Sequence, residues 1–146
     1  MKLLKHAVEL GNVEAMNILA VAYEHGRGVK HADMKKAKQL YRMGADRGYA
    51  RAQCNLANVL WKELQSGIRS SAMLDSTLMS EIHRLYDLSA TQGHHDAIYM
   101  KGTCYRIGIG VEKDYVEARR WLERAAATTG RCQQLAIDQL AKLRGN

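Results

Sequence analysis

Two glycine pairs are the features of this sequence that look most like a ligand-binding motif. The strings GRGV at residues 26–29 and GIGV at 108–111 each place two glycines one residue apart. Such turns can cradle a phosphate, but a phosphate loop needs a preceding strand and either G-x4-G-K-[ST] or a third glycine. The third position holds His31 or Lys113 instead, and both preceding segments have helical periodicity. We therefore interpret each pair as a hinge between two helices.

Histidines and cysteines offer the other candidate chemistry. The six histidines are His6, His25, His31, His83, His94 and His95. None belongs to an HExxH motif or to a paired Cys/His spacing, and His94 and His95 stand at a predicted helix start, where polar residues are common. The three cysteines, Cys54, Cys104 and Cys132, lie too far apart for a CxxC pair, and no nucleophile elbow is present. The sequence thus predicts no catalytic residue, no metal ligand and no cofactor.

Composition sets the broad class. Hydrophobic residues make up 47% and charged residues 25% of the 146-residue chain, which is typical of a globular protein. No apolar run approaches the roughly 18 residues of a membrane span, and His6 and Glu9 interrupt the place where a signal peptide would be apolar. A cytoplasmic location is the expectation. The formal net charge of +7 favours an acidic partner.

An internal repeat organises the chain. Gly11, Gly48, Gly93 and Gly130 are spaced by 37, 45 and 37 residues. After Gly11, one apolar stripe of a first helix consists of Met16, Leu19, Ala20 and Tyr23. The second helices share an i, i+3, i+4, i+7, i+8 stripe with small residues at its end: Ala37, Leu40, Tyr41, Gly44, Ala45; Ile82, Leu85, Tyr86, Ser89, Ala90; Ala118, Trp121, Leu122, Ala125, Ala126. Small residues let a neighbouring helix approach closely, as stacked helical hairpins require.

These stripes predict one all-α repeat domain over residues 1–146, with about seven helices and no strand. Residues 1–11 form a partial unit, and repeats follow at 12–48, 49–93 and 94–130. Residues 131–146 form a capping helix with Ala136, Leu140 and Leu143 on one stripe. The incomplete first unit, with Leu3 and Leu4 in mid-pattern, predicts an incompletely covered apolar end through which chains could self-associate.

The second repeat departs from the other two. It lacks the paired glycines and carries WKELQSGIRSSAMLDSTLMS, about eight residues more than its neighbours and rich in serine. We expect an exposed inserted loop at about 64–79, with Asp75 or Ser76 capping the helix that follows. The loop is either functional or a tolerated surface insertion.

The repeat closely resembles that of the Sel-one-like repeat (SLR) family, a relative of the tetratricopeptide repeats. The match in the first repeat is carried by Ala15, Leu19, Tyr23, Gly26, Gly28, Val29, Asp33, Ala37, Tyr41, Ala45 and Gly48. The match in the third is carried by Ala97, Gly102, Tyr105, Gly108, Gly110, Val111, Asp114, Ala118, Trp121, Ala125 and Ala126. The resemblance implies an α-solenoid, a right-handed superhelix of stacked antiparallel helical hairpins. It also implies a non-catalytic scaffold or adaptor that binds a protein or peptide in a concave groove.

The related tetratricopeptide arrangement suggests which residues face such a groove: those six, ten and thirteen positions after each repeat glycine. Together with Arg51, the residues so predicted to bind are Asn17, Val21, Asn58, Trp61, Tyr99, Thr103 and Arg106. Glu24 and Cys54 occupy equivalent positions. Amides, aromatic rings and arginines suit an extended, partly acidic peptide. For Trp61 the sequence leaves two places open, beneath the inserted loop or in the groove.

A basic module that binds nucleic acid or another polyanion is the alternative function. Lys35, Lys38 and Arg42 lie on one face of a predicted helix, turned away from its apolar stripe. No aromatic residues are interleaved among them and no nucleic-acid-binding motif is present, so a solvated outer face is the simpler interpretation.

Trp121 occupies a core position of the repeat.

Overall fold

The computed structural model describes residues 1–67 and 72–145 and contains eight helices in those ranges, with no strand among them. The helices are α1 (Lys2–Glu9), α2 (Val13–His25), α3 (Met34–Asp46), α4 (Ala50–Ser66), α5 (Ala72–Thr91), α6 (His95–Ile107), α7 (Tyr115–Ala127) and α8 (Cys132–Arg144). The predicted all-helical fold is confirmed, and the expected number of about seven is corrected to eight.

Three antiparallel hairpins, α2–α3, α4–α5 and α6–α7, stack in chain order between α1 and α8. Most residues of the predicted stripes join one continuous core or pack against it, with Tyr41, Tyr86 and Leu122 fully buried. Small residues bring the hairpins together as expected: a Cβ at Gly44 would lie 3.0 Å from the Cβ of Ala52. The stripes therefore act as the stacking surfaces of a solenoid.

The glycine pairs are hinges. Gly26 and Gly108 end α2 and α6 in the left-handed conformation, with φ of +69° and +88°. The second glycine of each pair also has a positive φ of +70°, a region that only glycine enters cheaply. The next helix then begins after an aspartate N-cap in both repeats, Asp33 before α3 and Asp114 before α7. This geometry confirms the hinge interpretation.

The expected loop at 64–79 is wrong for the described part of that range. Helix α4 continues to Ser66, and α5 already runs from Ala72, so Asp75 lies in its first turn and neither Asp75 nor Ser76 precedes it. The reason is that Leu78 continues the stripe of α5 toward its N-terminus and is only 3% exposed. Ser76 and Ser80 lie on its exposed face. Residues 68–71, which also belong to the expected loop, lie outside the described residues.

The extra residues of the second repeat therefore lengthen its helices. Helices α4 and α5 have 17 and 20 residues, whereas α2, α3, α6 and α7 have 13 each. Helix α5 also reaches the hinge of the third repeat, and beside that contact the His83 ring meets Tyr105 of α6 edge-on at 5.6 Å between centroids. A Cβ at Gly110 would lie 2.7 Å from the Cβ of His83 and closer still to the carbonyl oxygen of Met79. Helix and hinge are thus in direct contact.

Two further properties concern the whole described chain. The three cysteines are free and buried, and burial raises the pKa of each thiol to about 12. Within residues 1–67 and 72–145, no helix combines the length and the apolar character needed to cross a bilayer.

Candidate functional site

A groove of about 510 Å³ runs across the first helices of the hairpins. Its lining residues are Val21, Glu24, His25, Tyr41, Asn55, Asn58, Trp61, Lys62, Gln65, Tyr86, Met100 and Arg131. An adjoining cavity of about 410 Å³ shares Val21, Asn55 and Arg131 with it and adds Asn17, Ile18, Arg51, His94 and Asp96. We refer to the two together as the groove.

Asparagine side chains form the polar centre of the groove. Asn55 Nδ2 donates to Asn17 Oδ1 at 2.9 Å, and the Tyr86 hydroxyl donates to Asn58 Oδ1 at 2.6 Å. Burial raises the pKa of Tyr86, so this hydroxyl stays protonated and remains a donor. The Asn58 Nδ2 protons and the Asn55 Oδ1 atom are left without a partner among the described residues. One amide thus offers donors to a ligand, and the other offers an acceptor.

An aromatic wall lies beside these amides. The Trp61 and Tyr86 rings are 6.4 Å apart between centroids and tilted by 59°. Trp61 is partly buried and lines the groove, which is one of the two places that the sequence left open for it. A partly exposed indole ring can cover an apolar side chain of a ligand.

Glu24 organises the charge at one end of the groove. Its carboxylate accepts hydrogen bonds from the Tyr41 hydroxyl at 2.7 Å and from Lys62 Nζ at 3.2 Å. Burial and the Glu24 carboxylate raise the pKa of Tyr41, so the phenol remains a donor. Glu24 is therefore paired at both oxygens, and the ammonium of Lys62 stays at the exposed rim.

The other end is built by the start of α6 and the start of α8. Arg131 binds Asp96 Oδ2 through Nε at 3.1 Å and Nη2 at 2.7 Å, while Cys132 Sγ donates to Asp96 Oδ1 at 3.2 Å. Burial opposes the charge on Asp96, but these hydrogen bonds outweigh it and lower the pKa of the carboxyl group. Burial also lowers the pKa of His94, which favours a neutral imidazole there. Arg51 has no ion-pair partner among the described residues.

Of the eight residues predicted to bind, the structure brings five into the groove: Asn17, Val21, Arg51, Asn58 and Trp61. Asn17 is nevertheless only 4% exposed, so it supports Asn55 more than it meets a ligand. Glu24, at the thirteenth position of the first repeat, also lies in the groove.

Tyr99, Thr103 and Arg106 lie outside the groove. Tyr99 packs against the core, and buried Thr103 turns its hydroxyl back onto the Tyr99 carbonyl at 3.2 Å. Arg106 lines a different cavity. The prediction that the sixth residue after each repeat glycine faces the groove is therefore wrong for Tyr99. It is also wrong for Cys54, which is 1% exposed.

The seventh position after each repeat glycine faces the groove instead. It holds Ile18, Asn55 and Met100, all of which line the groove. Helical spacing from Arg51 and Asn58 would have found Asn55 and Lys62, since steps of three and four residues stay on one face. Arg131 carries no such signal, because its place depends on how α8 stacks on α6.

Comparison with known proteins gives a consistent identity for the repeat. The sequence profile of the Sel1 repeat matches residues 13–49 and 95–127. A crystal structure of a Sel1 repeat protein from Oxalobacter formigenes is similar, with 30% sequence identity, a TM-score of 0.74 and coverage of 95% of each chain.

A second, weaker likeness is to a protective antigen of uropathogenic Escherichia coli strains that displays an SLR fold. It has 22% identity and a TM-score of 0.45, and covers 97% of this chain but 35% of the other. A likeness at that TM-score carries no weight. No match was found among curated proteins.

Proposed function

The chain belongs to the Sel1 repeat family, whose members are generally non-catalytic scaffolds for protein–protein interaction, and we propose that it binds an extended, partly acidic peptide in its groove. The observation that carries the proposal is the pair of amides at the groove centre. Internal hydrogen bonds hold Asn55 and Asn58 in place and leave acceptor and donor atoms unused. An extended peptide backbone offers the matching donor and acceptor.

The charges of the groove support a partly acidic ligand. Two cations are already paired, Lys62 with Glu24 and Arg131 with Asp96, and Arg51 remains unpaired in the described chain. A carboxylate on the peptide would pair with Arg51. This pairing is favourable because a charge-assisted hydrogen bond to arginine is stronger than a neutral one. The aromatic wall of Trp61 and Tyr86 is suited to an apolar side chain next to that carboxylate.

The test is selection of decapeptides from a random library by the full chain, followed by alanine variants of the groove. Asn58→Ala and Trp61→Ala should each weaken the selected peptide by about 1 to 2 kcal/mol. Gln134→Ala, an exposed amide on α8, is the matched control for Asn58. Arg106→Ala should leave affinity unchanged, since Arg106 does not line the groove. Equal losses at all of these positions would contradict the proposal.

The polyanion alternative is less well supported. In the basic set on α3, Lys38 Nζ contacts Glu63 Oε1 at 2.7 Å and Arg42 Nη1 contacts Glu81 Oε1 at 2.6 Å. Within the part of the chain that the structure describes, Lys35 alone of the three has no acidic partner. Pairing of the other two lowers the positive charge that would attract a phosphate backbone. Retention of partners after nuclease treatment and in 0.5 M salt would separate the two functions.

Self-association through the first helix stays a prediction. Leu3 and Leu10 are 87% and 75% exposed, and α1 has no buried residue. Burial of such side chains between two copies would favour a dimer. Sedimentation velocity should show dimer for the native chain at high concentration and monomer for Leu3→Glu/Leu10→Glu, while Leu135→Glu on α8 should behave as the native chain does.

A further inference from the structure

A second cavity, separate from the groove, lies where α6 ends. It has a volume of about 450 Å³ and is enclosed by the last turn of α6, the hinge loop, the start of α7 and the second half of α8. None of its lining residues lines the groove. Whatever binds here would therefore bind independently of a peptide in the groove.

Among the residues that the structure describes, the charged side chains that line this cavity are all cations. They are Arg106, Lys113 and Lys142, which come from three different segments of the chain. Within residues 1–67 and 72–145 none of the three forms an ion pair. This arrangement differs from that on α3, where acidic residues of the neighbouring hairpin neutralise two of the three cations.

Arg106 is also incompletely satisfied. Its Nε atom is buried and has no hydrogen-bond partner among the residues that the structure describes. Arg106 and Lys142 both lie in the last turn of a helix, where the helix dipole favours a cation. The dipole accounts for the positive charge but supplies no acceptor to Nε, and an unmade hydrogen bond of a buried donor is costly. An oxyanion in the cavity would give the Arg106 guanidinium a charge-assisted partner.

We propose that this cavity binds the dianionic phosphate group of a phosphate monoester. The guanidinium of Arg106 provides a planar pair of donors that matches two phosphate oxygens, and the two lysines supply further charge. Tyr115 and Gln139 line the same cavity and contribute neutral donors. Three cations exceed what one carboxylate neutralises, whereas a phosphate monoester carries about −1.5 to −2 at pH 7.

The organic part of the ester has its own place. Ile107 and Leu143 form an apolar side of the cavity, with Ile107 40% and Leu143 7% exposed. A ring or short alkyl group attached to the phosphate would cover them and gain free energy by leaving water. A bare inorganic phosphate lacks this contact and should bind more weakly than an ester.

The test is titration of the full chain with phenyl phosphate, followed by amide chemical shifts. Shifts should concentrate at 106–115 and 139–143, and inorganic phosphate and acetate should bind progressively more weakly. Lys113→Gln/Lys142→Gln should lower affinity about tenfold or more, and Arg106→Gln similarly. The control is Lys2→Gln/Lys35→Gln, which removes the same charge from exposed lysines elsewhere and should change affinity less than about twofold.

Shifts spread over surface lysines, equal losses in the two double variants, or acetate binding as tight as phenyl phosphate would overturn the proposal. Circular dichroism of each variant confirms that it is folded. A phosphoserine pentapeptide distinguishes the source of the phosphate. Tighter binding than phenyl phosphate indicates a phosphorylated protein, and equal or weaker binding indicates a small ester. Asn58→Ala should leave phenyl phosphate binding intact, so this proposal and the groove proposal can fail separately.

Discussion

At the scale of single residues, the two hinge glycines Gly28 and Gly110 have the same φ but different surroundings. Alanine at either position must adopt a φ of +70°, which costs about 1 kcal/mol or more. A Cβ at Gly28 meets only the flexible end of Met1, at 3.3 Å, whereas at Gly110 it collides with the backbone of α5 and with His83. Overpacking of this kind adds about 1 to 3 kcal/mol.

We therefore expect Gly110→Ala to lower the free energy of unfolding by about 2 kcal/mol more than Gly28→Ala does. Urea denaturation of both variants measures the difference. Because the two positions share their conformation and repeat register, Gly28→Ala is the internal control for backbone strain. Equal destabilisation would mean that α5 does not press on the hinge.

His83 makes stability depend on pH. Burial lowers the pKa of His83 below the ordinary value of 6.5. The charge of Lys101 lowers this pKa further, and the charge of Asp87 opposes the shift. The Nε2 atom of His83 is also buried and has no hydrogen-bond partner among the described residues. Between the folded and unfolded pKa values, the unfolded chain binds more protons, so stability decreases as pH falls. We expect the free energy of unfolding to decrease from pH 7.5 to 5.5.

His83→Phe, which retains a ring against Tyr105, should make that decrease smaller. It should not remove it, because burial also lowers the pKa of His94. His25→Gln, at an exposed histidine, is the control and should keep the native slope. Denaturant titrations at four pH values measure how the free energy of unfolding depends on pH in each variant. If His83→Phe leaves that dependence unchanged, His83 is not its source.

At the scale of elements, the start of α7 depends on its cap. Asp114 accepts hydrogen bonds from the backbone N–H groups of Val116 at 2.9 Å and Glu117 at 3.1 Å. Asp114→Ala leaves both donors without this acceptor and should lower the melting temperature, at a cost of about 1 kcal/mol. Glu112→Ala removes a carboxylate from the same loop but no cap, and should cost much less. Similar losses in both would indicate a general charge effect.

Elements were predictable where the sequence repeats. The stripes, the hinge glycines and the two aspartate caps follow from local rules of backbone and helix geometry. The start of α5 could not be predicted in this way. Serine and aspartate near residue 75 suggested a helix cap, whereas the burial of Leu78 favours a helix that begins earlier. The groove was predicted in part: a rotation of one position on α4 and α6 separates Asn55 from Cys54 and Met100 from Tyr99.

At the scale of the whole molecule, burial is unequal along the stack. Helix α1 has no buried residue, whereas α4 contributes seven from Ala52 to Leu60. Local opening is cheapest where few apolar contacts are lost. Amide hydrogen exchange should therefore be fastest in α1 and slowest in α4 and in the middle of α5. Uniform protection from α1 to α8 would show that the stack opens only as a unit.

The three buried cysteines have a practical consequence for all of these experiments. At neutral pH their thiols are protonated, because the pKa of each is raised to about 12, and maleimides react with thiolates. A fourth cysteine placed at an exposed position, such as Gln65→Cys at the rim of the groove, would then be the only one to react quickly. A fluorophore or spin label attached there would report ligand entry in the otherwise native chain.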